Sequence, residues 1–541
     1  MNHQHDSLLF RIPRELRDES YHYYVNEDDE YHHDSASDKL RLANGGSIDL
    51  SMQYTCKRVA AKMDGLALEG NTITFRTMLD VPDTTDQISN ADLFQYYTCR
   101  GRGRILERML EWSHTLVTPE VMRSLCERYL QSIAVKRMAD AQAKGDNSSL
   151  EIGSLWDQTD GVHTADYDEY SAQAVNIVHD LVQILSSQPQ FWHLTARDYD
   201  VELRRIGIQE DEPWVAENEE ILAQTLESHD TLYISRAQQQ RVLDWQPDYW
   251  WIPSRSFPDE VAEFIPADDY CHPSNQDRYT QVNIEPDNYF SAAAVAIQFF
   301  ESLGTKRCSH LRNVVIQEDE FSKADPATHA RGLIPFCVAN TKLKIERRLD
   351  IWRSTIIRAS DRDINLDGAN CIVEDIGIWL SETKIVHGLG MPTESFTLTL
   401  HGPTPEASQQ FWDAIIRAAI WDEGCTINSQ MPEYYYANKY FKHWLGEGLV
   451  DLVKDVIRGD IPARFEADME EFWDVKQLMA EQEGDWPGFF EEVFRIRDFD
   501  PPEGGWKAAR EARFGKRLPR QTPDPVDWIE RMDEWDMLTG E

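Results

Sequence analysis

The sequence predicts a helix-rich mixed α+β protein: an N-terminal helical subdomain, then a larger domain in which helices alternate with short strands. Three observations predict it. Apolar residues recur at i, i+3, i+4 and i+7 over much of the chain, which is the spacing of a helix with one buried face. Short β-branched runs with alternating polarity lie in the second half, at 311–317, 343–351 and 396–400. Helical segments separate those runs, at 292–303, 329–340, 371–384, 405–421, 434–457 and 464–479, and such interleaving belongs to mixed rather than all-α or all-β folds.

In chain order, Pro13 opens the first helix, where a missing N–H costs nothing, and Glu15, Asp18 and Glu19 follow it near the positive helix end. Ile12, Leu16, Tyr21 and Tyr24 form its apolar stripe, which ends near Val25. An acidic loop is expected from Asn26 to about Ser47, closed by Asn44-Gly45-Gly46. Met52, Cys56, Val59, Met63 and Leu66 then lie on one side of a second helix, and Ile73 and Phe75 alternate as a strand. Helical periodicity covers 93–139, polar and small residues predict a loop over 140–168, and periodicity resumes near Ala174. A run dense in Trp, Tyr and Pro, Trp245-Gln246-Pro247-Asp248-Tyr249-Trp250-Trp251-Ile252-Pro253, reads as irregular packing over a core or as a ligand or peptide groove. The expected organisation is thus an N-terminal subdomain (1–80), a helical segment (81–139), a loop or insertion (140–168), a mixed body (169–500) and a Pro- and Trp-rich tail (501–541) carrying Trp506, Trp528 and Trp535.

Composition narrows the function classes. In 541 residues, 54 Lys and Arg face 95 Asp and Glu, a formal charge of −41 that repels phosphate backbones, so no nucleic-acid partner is expected. The longest apolar run, 292–300, is about half a membrane span, so no membrane partner is expected either. With no basic segment leading an apolar run at the N-terminus, a cytoplasmic or nuclear protein is expected. The eight cysteines include no C-x-x-C pair and read as small buried hydrophobes.

No nucleophile elbow, phosphate loop, dinucleotide fingerprint or zinc-protease motif occurs, so neither a catalytic residue nor a cofactor or metal site is expected. His32, His33 and Asp34, with His3, His5 and Asp6, read as solvated loop residues. Cys308 and His310 would share a face if they lay on a strand, but a buried Cys beside a surface His accounts for them. Glu318, Asp319 and Glu320 follow a strand, where acid–base groups often sit, yet 95 carboxylates make coincidence sufficient.

One resemblance stands out. The run from Leu8 through Leu9, Phe10, Arg11, Ile12, Pro13, Arg14, Glu15 and Leu16 to Tyr24 resembles the opening motif of filamentous-fungal F-box-like proteins. Thr55-Cys56-Lys57-Arg58-Val59 followed by Gly70-Asn71-Thr72-Ile73-Thr74-Phe75 is similar to their second signature, and parts of 310–336 resemble their body. Ser20 stands where the motif carries Ile. The resemblance implies a substrate adaptor of a cullin ubiquitin ligase, with a Skp1-like linker as one partner and a protein substrate as the other. It implies Leu9, Ile12, Pro13, Leu16, Tyr21, Tyr24 and Val59 as the residues that meet the linker. The alternative is a non-catalytic structural or interaction protein whose N-terminal helices only pack on the body.

Overall fold

A computed structural model describes residues 8–26, 30–80, 89–129, 133–143, 172–195, 235–265, 289–356, 368–428, 448–469, 473–475 and 477. The fold is helix-rich and mixed, as the periodicity predicts. It is organised around one seven-stranded sheet, in the order β2-β1-β3-β6-β7-β8-β9. The strands are β1 (Tyr31–Asp34), β2 (Lys39–Leu42), β3 (Thr72–Arg76), β6 (Asn313–Glu318), β7 (Lys344–Asp350), β8 (Phe396–His401) and β9 (Ala463–Phe465). Every neighbouring pair is parallel except the β1–β2 hairpin at one edge.

Parallel neighbours in chain order require a crossover between each pair. From β3 onward helices α12 (Ala292–Cys308), α13 (Ile334–Ala339), α14 (Gly368–Gly388), α15 (Pro405–Asn428) and α16 (Leu449–Arg458) supply them, and between β1 and β3 two short helices do, Lys57–Met63 and Leu66–Gly70. Because a strand turns alternate side chains to opposite faces, the register stacks Ile73, Val314, Ile345 and Phe396 in one row and Phe75, Ile316, Arg347 and Leu398 in the next. Those rows form the main core with Ala293, Ile297, Phe300, Trp379, Leu380, Phe411, Trp412 and Val453 of the helices. The opposite face carries Thr74, Val315, Glu346 and Thr397, then Arg76, Gln317, Arg348, Thr399 and Arg464. Its charges pair with one another: Glu346 takes Arg348 and Arg464 at 2.9 Å each, and Arg348 also reaches Glu466 at 2.6 Å.

Between β3 and α12 the chain leaves the sheet through an antiparallel pair, β4 (Met78–Leu79) with β5 (Tyr289–Phe290). Among the described residues the regular structure between them is helical: α5 (Asn90–Gln95), a π-helical turn (Tyr96–Gly101), α6 (Arg102–Ser113), α7 (Pro119–Arg128), α8 (Ile133–Ala143), α9 (Ala172–Ser186), α10 (Arg236–Asp244) and α11 (Phe257–Ala262). Serine and threonine caps start several of these helices, Ser89 on α5, Thr118 on α7 and a Ser235–Gln238 capping box on α10. The helices share a second core built on Phe94, Leu106, Leu125, Leu181, Phe191 and Ile265.

A third, small core joins α2 (Arg14–Val25) to α3 (Lys57–Met63) through Tyr21, Val25, Val59 and Met63, with α1 (Leu8–Arg11) and α4 (Leu66–Gly70) beside it. The single helix expected over Met52 to Leu66 is thus two short ones, because Gly65 sits at φ 83 between them. A side chain at Gly65 would fall on the His310 ring, so glycine serves there both for its backbone angle and for its lack of bulk.

Other expectations are corrected by pairing. The acidic loop contains the β1–β2 hairpin, whose ladder places Tyr31 opposite Leu42, and Tyr31 is buried in the main core. The helix expected from Arg464 onward begins instead as β9, because Ala463 and Phe465 pair beside β8 and bury their side chains. Cys308 ends a helix, where it is buried and bonds the Phe300 carbonyl, and His310 reaches Glu69, so the two make no strand-face pair. The tail of residues 501–541 and most of the 140–168 loop lie outside the described residues, as do 434–447, His3, His5 and Asp6.

Candidate functional sites

Three places combine chemistry with position. The first is a polar junction inside the main core. Arg347 points inward from β7 and is fully buried. Its Nε and Nη2 donate to Glu318 Oε1 at 2.9 and 2.6 Å, and its Nη1 and Nη2 donate to the carbonyls of Ala327 and Pro326. Trp379 of α14 lies under the guanidinium, 4.3 Å from ring centroid to Cζ. Glu318 also accepts the Ala292 and Ala293 N–H groups that open α12, so the carboxylate meets a helix N-terminus and an arginine at once.

Ser291, just before Ala292, caps α12 by accepting from the Ala294 N–H, and because the neutral His329 ring carries its proton on Nε2, the Ser291 hydroxyl donates to Nδ1, at 2.6 Å. His329 Nε2 then donates to the Ala324 carbonyl at 2.6 Å. Burial, with the Arg347 charge adding to it, pulls the imidazole pKa down to about 3. Serine and histidine in contact suggest nucleophilic chemistry, but the two are fully buried and the serine hydroxyl is committed to a helix cap. The junction therefore ties β6, β7, α12, α14 and the 3-10 turn Pro326–Leu333 together. It is architecture.

The second place is the outer side of the N-terminal helices. Of the residues implied by the resemblance, Tyr21 and Val59 are buried in the small core, Tyr24 is half-buried with its hydroxyl 3.0 Å from Ser51 Oγ, and Leu9 is half-buried. Ile12, Pro13 and Leu16 face solvent, Ile12 at 39% and Leu16 at 52% exposure. Ser20 is also exposed and donates to the Leu16 carbonyl, so the motif's missing Ile leaves the small core unaffected. Phe10 is stacked by Arg17 and Arg58, with centroid distances of 5.3 and 4.7 Å. Polar contacts join this unit to the body: ion pairs of Asp64 with Lys306 at 2.7 Å and of Glu69 with Arg312 at 2.8 Å, and a hydrogen bond between Glu69 and His310 at 2.9 Å.

The chain was compared with family models, with curated proteins and with solved structures. Nothing matches. Assignment of function therefore rests on geometry.

The third place is a cleft of about 330 Å³ between the helical core and α12, lined by Trp245, Trp250 and Trp251 with Asp248, Gln298 and Glu301. It falls within the aromatic run noted in the sequence. Trp245 packs against the helical core and Trp250 against the sheet core, so the cleft follows the seam between the two. Phe257 backs Trp245 and Trp251 at 6.1 and 5.3 Å, and Phe94 and Phe264 extend that aromatic cluster. Trp250 lies against Gly332 so closely that a Cβ there would come within 2.6 Å of the indole and of Ile297 Cδ1. Gly332→Ala is expected to shift the Trp250 wall and to cost about 1–3 kcal/mol, visible as a changed tryptophan emission spectrum together with a lower denaturation midpoint.

The sites expected to be solvated take structural parts. His33 packs between Phe75 and Phe299, 5.3 and 5.1 Å away, and bonds Asp38, while Asp34 pairs with Arg41. Among the described residues no three of His, Cys, Asp and Glu converge as metal ligands, and no helix is long and apolar enough to cross a membrane.

Proposed function

We propose that this chain is a protein-interaction adaptor whose N-terminal helices dock on a Skp1-type linker of a cullin ubiquitin ligase, in the cytoplasm or nucleus, and whose body receives a protein substrate. The observation that carries the reading is the outward pair Ile12, at the bend before α2, and Leu16, on α2, whose other side already has its own core. Apolar surface left exposed beside a completed core adds nothing to folding there, whereas covering it against a partner recovers part of the roughly 1.5–3 kcal/mol that full burial of such a side chain is worth. A second reading is that the helices only brace the body. It is favoured by the Asp64 and Glu69 ion pairs and by Asn71, which donates to the Val25 and Ala67 carbonyls.

The same exposure makes the test clean. Ile12→Asp with Leu16→Asp is expected to leave the denaturation midpoint nearly unchanged, since exposed substitutions usually stay within about 0.5 kcal/mol. It is expected to abolish capture of the full chain by a purified Skp1-type linker. If the unsubstituted chain is not captured, the bracing reading takes its place.

A further inference from the structure

We propose that the cleft between the two cores is a binding site for an organic cation, an alkylated ammonium group held against Trp245, Trp250 and Trp251 and neutralised by Asp248 and Glu301. Among the described residues the lining holds no Lys or Arg that would neutralise its carboxylates. Both carboxyl groups are exposed at the rim, and Asp248 is desolvated enough by its surroundings that its pKa lies above the ordinary value. Indole faces attract a large, weakly hydrated cation through the ring quadrupole, and tryptophan does so best. A hydrated divalent metal needs several oxygen ligands, for which two rim carboxylates and indole walls are a poor set. A neutral apolar ligand would make no use of the carboxylates.

The walls are held from behind. Phe94 and Phe257 meet the Trp251 ring edge-on, and Phe257 with Phe264 supports Trp245. The volume of about 330 Å³ lies at the small end of ligand sites, roughly 300–1,000 Å³, and suits one ammonium head with its substituents. The chain's net charge of −41 raises the local concentration of cations at any such opening. None of these residues belongs to the N-terminal docking helices, so this proposal stands or falls independently of the adaptor reading.

The head group could be carried by a free quaternary amine or by a methylated lysine of a polypeptide, and the experiment separates the two. Titrations of the full chain with choline and with its uncharged isostere 3,3-dimethylbutanol, at matched ionic strength, are followed by tryptophan fluorescence and calorimetry. Saturable binding of choline with at least tenfold preference over the isostere is expected. Asp248→Asn with Glu301→Gln, which keeps the walls, is expected to remove that preference, and Trp251→Ala to weaken choline binding roughly tenfold. A short glycine-flanked peptide carrying trimethyl-lysine forms the second arm. Tighter binding of the peptide assigns the site to a polypeptide, and tighter binding of choline to a free amine. Equal binding of choline and isostere, failure of both choline and the trimethyl-lysine peptide to saturate, or an unchanged preference in the carboxyl variant would overturn the proposal.

Discussion

Arg347→Ala is expected to lower the stability of the sheet core by about 3–5 kcal/mol, the usual cost of leaving one member of a buried ion pair without the other. The size follows from what the guanidinium does: it answers Glu318, two carbonyls of the 3-10 turn and the Trp379 ring in a place water does not reach. Removing it strands a carboxylate whose remaining partners are the first N–H groups of α12. Replacing both members, Arg347→Met with Glu318→Leu, removes the stranded charge and is expected to recover only part of the loss, since the Ala292 and Ala293 N–H groups and the Pro326 and Ala327 carbonyls lose their partners too. Hydrogen-exchange protection of β6 and β7 together with urea denaturation would measure both. A single variant as stable as the parent would show that the junction is not what holds these strands.

The second large effect is on acid stability. His329 is held neutral with a pKa of about 3, against an ordinary value of 6.5. Above pH 6.5 neither the folded nor the unfolded imidazole binds a proton, and the contribution is complete. Between about 6.5 and 3 only the unfolded chain takes the proton, so stability falls as pH falls, by about 1.4 kcal/mol per pH unit. The groups facing the ring are Ser291 from α12, the Ala324 carbonyl, and the Arg347 charge with its partner Glu318 from β7 and β6. His329→Asn removes the titration while leaving a polar side chain, and the difference between the pH–stability curves of the two proteins isolates the histidine. Parallel curves over that range would sink the assignment.

Much of this architecture was legible from residue parity. In 344–350 the apolar Ile345 and Leu349 share a parity, and that same parity forces Arg347 inward. An arginine at a core position of a strand is a signal for a buried partner, and that signal was present in the sequence. Which carboxylate answers it was not legible, because 29 residues separate the two and only the β6–β7 register joins them. Gly65 and the hairpin in the acidic segment were hidden for a related reason: a two-residue pairing with β3 and the distant His310 decide them. The aromatic run was visible as composition, but its role as the wall of a cleft depends on Ile297, Gln298 and Glu301, which arrive from α12. On the N-terminal helix, periodicity found the apolar residues without saying that Tyr21 and Leu16 take opposite sides.

The antiparallel pair of β4 and β5 also shapes how the chain reaches its folded state. Thr77 bonds Asp319 across 242 positions of sequence, and β3 pairs with β6 across a similar interval. Bringing such distant segments together from an open coil is entropically costly, but the penalty grows only with the logarithm of the span, about 0.6 kcal/mol per doubling. Once the intervening helices gather and Met78 meets Phe290, the long excursion becomes a short detour whose two ends are already side by side. The sheet can then zip as though the helical lobe were a brief turn, which lets so large a parenthesis sit between two adjacent strands.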